Sequence, residues 1–379
     1  MDSRSENQGA GQGEGLFSQT VLQFLAPIKQ YLLDPLVSEI MVNGPEAIYI
    51  EKQGKIYRTD SRFNSEESLM AAIRNVGQFM GRTIDTTRPY LDARLPDGSR
   101  VHAIIAPCAP KGPYLTIRRF SQDKLTMDDL IAMGSMDRLT AVFLEACVVA
   151  RKNIAVSGGT SSGKTTLLNI ISSFIPAGER VVVIEDSCEL QLRQEHLVNL
   201  ERKWPDKDGR GEVSIGKLLE NSLRMRPDRI IIGECRAGEA LDMLQAMNTG
   251  HAGSMTTLHA NSCRDALSRL ETMALSAGAA LPLAAIRGQV ASAIDLVVQI
   301  SRFPNGKRLI VELSEVQELS LEGNYQLNPI FQRKLKATKG AGSSDLDSLR
   351  PTGNEPSFIF ELELTGIDLG DNLFARSES

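Results

Sequence analysis

The run Gly158-Gly159-Thr160-Ser161-Ser162-Gly163-Lys164-Thr165 constrains this chain more than any other stretch. It matches G-x-x-x-x-G-K-[ST] at every fixed position. Such a loop works only between a strand that delivers it and a helix that leaves it. Its glycines let backbone N–H groups converge on phosphate oxygens, and the helix N-terminus adds positive potential. Both neighbours are legible: apolar Asn153–Ser157 enters, and Lys164–Phe174 leaves with helical spacing. In this chemistry Lys164 reaches the outer phosphates of a nucleotide and the Thr165 hydroxyl holds Mg²⁺, with Thr166 beside it in the first turn. An ordinary Gly/Ser loop ahead of a helix is the alternative, and the strand and helix weigh against it.

The surrounding rhythm sets the fold class. A helix at Asp137–Ala150 leads to the loop strand. Strand Arg180–Ile184, helix Ile215–Met225, strand Arg229–Ile232, helix Gly238–Asn248 and strand Ser254–Leu258 follow, with late strands at Leu296–Ile300 and Leu309–Leu313. Strands alternating with helices imply a mainly parallel sheet covered on both faces, an α/β domain over residues 128–334. Ahead of it, residues 16–120 read as a smaller α+β domain. There a helix is expected over Leu16–Leu33, a hairpin around Lys52-Gln53-Gly54, and a helix from Ser65 to Met80. A second hairpin turns at Pro96-Asp97-Gly98-Ser99, and a strand covers Leu115–Arg118. Residues 1–15 read as disordered, 121–127 as a linker and 335–379 as a C-terminal tail, Gly/Ser-rich through Ser344.

Composition narrows the function classes. The chain has 42 basic and 47 acidic residues, a net charge of −5, so no overall basic field points to nucleic acid as a partner. Its five cysteines form no C-x-x-C pair, which argues against a structural zinc site and for free thiols in a reducing cytoplasm. The polar start carries no secretory pattern. The longest bland stretch, Ala274–Ile286, is too short to span a bilayer and contains Pro282. A membrane role is therefore expected to be peripheral, through partners.

Three further clusters carry candidate chemistry. Glu185-Asp186 ends the strand Arg180–Ile184, with Glu189 one turn on. Carboxylates at the carboxyl ends of parallel strands can bind magnesium, directly or through water, or orient an attacking water. From this stretch alone a solvated strand-end cluster explains them equally well. Glu234, after Gly233, ends the strand Arg229–Ile232 and is read as the residue that polarises the hydrolytic water, on a strand adjacent to the loop. A helix-capping carboxylate is compatible with that role. His251 and His259 flank strand Ser254–Leu258, and His259 stands at its loop-facing end as the candidate donor to a γ-phosphate.

Taken together, four segments resemble the type II/IV secretion ATPase superfamily: the phosphate loop, V-V-V-I-E-D-S-C-E-L, R-P-D-R-I-I-I-G-E-C-R and T-G-H-A-G-S-M-T-T-L-H-A-N-S. They match its Walker A, Asp box, Walker B and His box. The run from Leu241 to Glu271 is most similar to the CpaF-type branch that drives Tad (Flp) pilus assembly. The resemblance covers residues 25–320. It implies a RecA-like ATPase domain, ATP and Mg²⁺ as ligands, and hydrolysis coupled to mechanical work. It further implies a homo-hexamer on the cytoplasmic side of the inner membrane, acting on platform proteins of a pilus, or on a secretion or conjugation apparatus. It places N-terminal arginines against the nucleotide, here Arg100 and Arg118 with Arg94 nearby; surface arginines on a hairpin remain the alternative for each. Metal contacts fall to Thr165 and Asp186, and Glu185 and Glu189 join Glu234 around the attacking water.

Overall fold

The computed structural model describes residues 20–119, 125–205, 209–278, 280–335 and 346–376. The stretch read as disordered (1–15), most of the linker and the Gly/Ser-rich part of the tail lie outside these residues. The chain divides into two compact units, residues 1–124 and 125–379.

The first unit is a six-stranded antiparallel sheet in the order β3-β2-β1-β6-β5-β4. Its strands are β1 (Val37–Asn43), β2 (Ile48–Lys52), β3 (Lys55–Arg58), β4 (Tyr90–Arg94), β5 (Arg100–Ile104) and β6 (Tyr114–Arg118). Both expected hairpins form. Gln53 and Gly54 take positive φ at the first turn, the conformation that a two-residue hairpin needs. The expected helix Leu16–Leu33 is broken. Residues 20–24 are helical, Pro27, which lacks an N–H donor, sits in a 3₁₀ turn Ala26–Ile28, and the helix resumes as α1 (Lys29–Leu33). Ser65 caps α2 (Glu66–Phe79) with a reciprocal Ser65–Ser68 capping box. Leu69, Ile73 and Val76 of α2 share a core with Ile40, Val101 and Ile117 of the sheet. The central strand β1 was not anticipated, because Ser38, Glu39 and Asn43 mask its apolar alternation.

The second unit holds a nine-stranded sheet in the order β15-β14-β13-β12-β7-β11-β10-β8-β9. The strands β7 (Ile154–Gly158), β8 (Val181–Glu185), β9 (Leu197–Glu201), β10 (Arg229–Ile232), β11 (Met255–Leu258) and β12 (Leu296–Arg302) run parallel. Beyond β12, the strands β13 (Arg308–Gln317), β14 (Gln326–Leu335) and β15 (Leu346–Pro351) continue antiparallel. Val181 and Val183 pack on one face, and Val182 and Ile184 on the other. A strand buried on both faces needs an unbroken apolar run, and the sequence V-V-V-I supplies it. On the first face lie α3 (Met127–Ala132), α4 (Arg138–Val149) and α5 (Lys164–Ser172). On the second lie α6 (Ile215–Ser222), α7 (Glu239–Asn248), α8 (Cys263–Ser276) and α9 (Leu283–Ala293). The bland stretch Ala274–Ile286 divides between α8 and α9, and among the described residues no helix is long and apolar enough to cross a membrane.

Residues 346–376, which the sequence set apart as a tail, pack into this second core. Phe358, Leu362 and Leu373 are buried in it, and Phe374 meets Phe143 edge-on at 5.9 Å. Buried Glu315 accepts the Ser357 backbone N–H at 2.9 Å, Lys152 pairs with Glu361, and the Lys152 ammonium lies 4.5 Å over the Phe358 ring. The anchors are single apolar residues spaced along an irregular segment with the short helix α10 (Ile359–Glu363), so no periodicity announces them.

Candidate functional site at the carboxyl ends of the parallel strands

Strand β7 ends in the phosphate loop, and the loop is built around what a side chain would forbid. A Cβ on Gly158 would lie 2.3 Å from the Ile300 carbonyl of β12 and 2.7 Å from Ser162 Oγ. Gly163 adopts φ +98° and Ser161 φ +56°. Left-handed backbone at two of three residues is the geometry of an anion-binding concavity, and α5 starts immediately after it. Ser162 is buried and its Oγ donates to the Gly159 carbonyl at 2.9 Å. Lys164 is only 7% exposed; its Nζ donates to the carbonyls of Gly158 (3.1 Å) and Gly159 (2.9 Å). Gly159, Thr160 and Thr166 are exposed and Thr165 is half-buried.

The three other elements end at the same edge of the sheet. Lys164 Nζ is 3.4 Å from His259 Nδ1, and His259 Nε2 is 2.8 Å from Glu234 Oε1. An ammonium has only donors, so Nδ1 faces it as acceptor and the neutral ring carries its hydrogen on Nε2, toward the carboxylate. Burial, then the Lys164 charge, holds the His259 pKa below its usual value, against the pull of Glu234. Glu234 Oε1 is buried and, despite that short distance, has no aligned hydrogen-bond partner among the described residues. Glu234 was expected beside the phosphate loop; its strand β10 is not the neighbour of β7, and β11 lies between the two. His259, at the end of β11, spans the gap that this inserted strand creates. His251, at the opposite end of β11, approaches the Ala246 carbonyl through Nδ1 at 3.3 Å, a contact at the end of α7.

Glu185 is 4% exposed, and its Oε1 accepts the backbone N–H groups of Glu189 (3.0 Å) and Leu190 (3.1 Å). It shapes the turn that carries Asp186 and Glu189. That turn is tied to the phosphate-loop helix by Asn169 Oδ1, which accepts the Gln191 N–H at 2.8 Å. Asp186 pairs with Arg236 (3.0 Å) and Arg202 (3.5 Å). Arg236 also donates to Glu234 Oε2 from Nε at 2.7 Å. Partial burial disfavours the Arg236 charge, but its hydrogen bond to Glu234 and the charges of Glu234, Asp186 and Glu189 outweigh this and raise its pKa. Sequence reading gave Arg202 no place in the site. It is 16 positions from Asp186 in the chain, and only the parallel pairing of β9 with β8, Glu201 beside Glu185, brings the two together.

In the first unit, strand register aligns the candidate arginines. Arg94 pairs with Arg100 across β4–β5, and Arg100 with Arg118 across β5–β6. Directly opposed residues share a face, and like charges there cost stability. Three arginines in one row therefore form a concentrated cationic stripe. Glu39 of β1 continues the row beside Arg118.

These features define a P-loop nucleotide-binding domain of RecA-like form, preceded by a smaller α+β domain. The family model for type II/IV secretion system proteins matches residues 22–329, and the chain belongs to that family. It is 33% identical over 306 residues to a putative conjugal transfer protein of Mycobacterium tuberculosis, covering 78% of this chain and 86% of the relative. It is 37% identical over 290 residues to the type IV secretion system protein PtlH of Bordetella pertussis, covering 70% and 86%. Among solved structures, the pilus retraction motor PilT with bound ADP aligns with a TM-score of 0.55 at 18% identity, covering 78% of this chain and 83% of that one, a likeness of fold.

Proposed function

We propose that this chain is an ATP hydrolase that works as a hexameric motor for a Tad/Flp-type pilus. The observation that carries hydrolysis is the convergence of the phosphate loop, His259, Glu234 and Asp186 at one edge of four parallel strands. The loop and Lys164 suit the phosphates, and Lys164 exchanges its carbonyl partners for them. Glu234 takes the proton of the attacking water. His259 reports the γ-phosphate to Glu234, being in contact with both Lys164 and that carboxylate. Thr165 and Asp186 would hold Mg²⁺, an ion that takes one or two protein ligands and the rest from phosphate and water. When bound, it would neutralise charge on the phosphates. Glu185 and Glu189 complete the acidic wall through the turn they share.

Arg100 and Arg118, with Arg94, would meet the transferring phosphoryl group and offset the charge that develops on it. ATP and ADP bind closed and open states differently, and that difference is the energy available for work on a membrane platform protein. The site would lie on the cytoplasmic face of the inner membrane. Glu234→Gln tests the assignment: turnover is lost while ATP binding persists, and normal turnover would sink it. Sizing of the purified chain alongside its ATPase rate tests the ring, since full activity in a monomer contradicts a shared site.

A second reading has support of its own. The relatives named for conjugal transfer and type IV secretion favour export of a substrate rather than pilus assembly. The His-box region Thr249–Ala260 is compatible with both, and the run after it favours the pilus branch. Inactivating Glu234 in the native host separates them: the pilus reading expects loss of surface pili, the export reading loss of a secreted or transferred substrate.

A further inference from the structure

Both carboxylate oxygens of Glu234 are engaged or covered in the position it occupies. Its Oε2 accepts from Arg236 Nε at 2.7 Å and is also paired with Arg236 Nη2. Its Oε1 is shut off from solvent against His259. A water giving up its proton needs a carboxylate lone pair at hydrogen-bond distance; Oε1 is closed to water, and at Oε2 the water must compete with the Arg236 fork. Further contacts fix this clamp. Arg236 Nη1 donates to Asp186 Oδ2 at 3.0 Å. The backbone N–H groups of Arg236 and Ala237 donate to Glu239 Oε1 at 2.7 and 2.9 Å. Asp186 is shared with Arg202, whose guanidinium lies 3.9 Å over the ring of Trp204.

We infer that Arg236 is a latch, a positioning residue that holds Glu234 away from water while its fork is on Glu234 and Asp186, and frees it for hydrolysis when the fork moves to another anion. This rests on Glu234 being the base. The side chain of Arg236 is 54% exposed, so it can trade Glu234 for water or for an anion at modest cost. A triphosphate is the natural competitor, since a guanidinium binds phosphate as readily as carboxylate. Release changes how Asp186 divides between its two arginines, and one of them is stacked on the single tryptophan of the chain. Trp204 emission therefore reads the latch.

The experiment uses the full chain with magnesium and saturating ATP. Arg236→Gln removes the charge and the fork. Its kcat rises several-fold with little change in KM, and its nucleotide-free Trp204 emission moves to that of the wild type carrying a non-hydrolysable ATP analogue. A kcat that stays level or falls overturns the latch, and so does wild-type emission that the analogue leaves unmoved. Arg236→Lys keeps the charge without the fork and gives an intermediate kcat; a value at or below wild type counts against the latch even if the glutamine variant does not fold. Glu234→Gln in parallel separates the two ideas. If it hydrolyses ATP normally, the base assignment fails; if it is inactive and neither Arg236 variant is faster, only the latch fails.

Discussion

Strand β10 has an arginine–carboxylate pair at each end: Arg229 with Glu179 at its start, Arg236 with Glu234 just beyond its finish. The chemistry is the same and the settings are opposite. Arg229 is fully buried; its Nε donates to Glu179 Oε2 at 2.5 Å and its Nη1 to the Val148 carbonyl at 2.8 Å. It presses so closely on Gly253 that a Cβ there would lie 2.0 Å from Nη1. Arg236 is more than half exposed and divides its fork between two acids. A buried charge has no water to fall back on, so its partners are permanent. An exposed one can exchange partners. The amino ends of the strands are thus a fixed frame, and the carboxyl ends are a place where ion pairs can change.

Substitutions at the two ends should separate frame from site. The largest effect is expected for Glu234→Gln: turnover falls by about 10²- to 10⁴-fold, with an unchanged unfolding midpoint. A large stability loss in this variant would erase the distinction. At the other end, Arg229→Ala takes one of the two arginine partners from Glu179, leaving Arg151 at 3.1 Å, and is expected to cost about 3 kcal/mol in denaturant unfolding, the low end for a broken buried pair. A loss near that of a surface pair would break the comparison from the opposite side. Gly253→Ala should act through the same frame. Its φ of +82° strains any side chain and the new Cβ displaces the Arg229 guanidinium, so about 1–3 kcal/mol is expected.

The smallest effect concerns pH at the site end. Burial and Lys164 hold the folded His259 pKa below 6.5. Above that value the ring is neutral in both states and adds no pH dependence. Below it the unfolded chain takes up a proton that the folded site resists, so stability falls as pH falls. Denaturant midpoints at about pH 7.5 and about pH 5.5 should lie slightly closer together in His259→Gln than in the wild type. An equal or wider gap would mean that His259 is not held neutral.

Much of the site was legible because it is local. The phosphate loop is eight contiguous residues whose glycines, lysine and threonine each have a stated task, and strand and helix follow from their own periodicity. Ser65 and Asp137 announce helix starts because an N-cap acts on an amide within three residues. The arginine row was half legible. Arg100 and Arg118 were picked out by resemblance, but their direct pairing depends on the register of β5 with β6. Arg202 was not legible at all, since nothing in its neighbourhood points to Asp186.

By itself the sequence determined that a nucleotide phosphate has a loop to sit in, that a parallel α/β domain surrounds it, and that Glu234 and His259 end strands. These follow from backbone conformation, capping and burial periodicity, which act over a few residues. Only the tertiary structure decided that β11 separates the loop strand from the Glu234 strand, so that His259 bridges them. It also brought Arg202 to Asp186 and seated residues 346–376 in the second core. Strand order and docking depend on how distant apolar faces share one core. An apolar run that is buried on both faces suits several positions in a sheet equally well, so the choice among them is made by the whole fold.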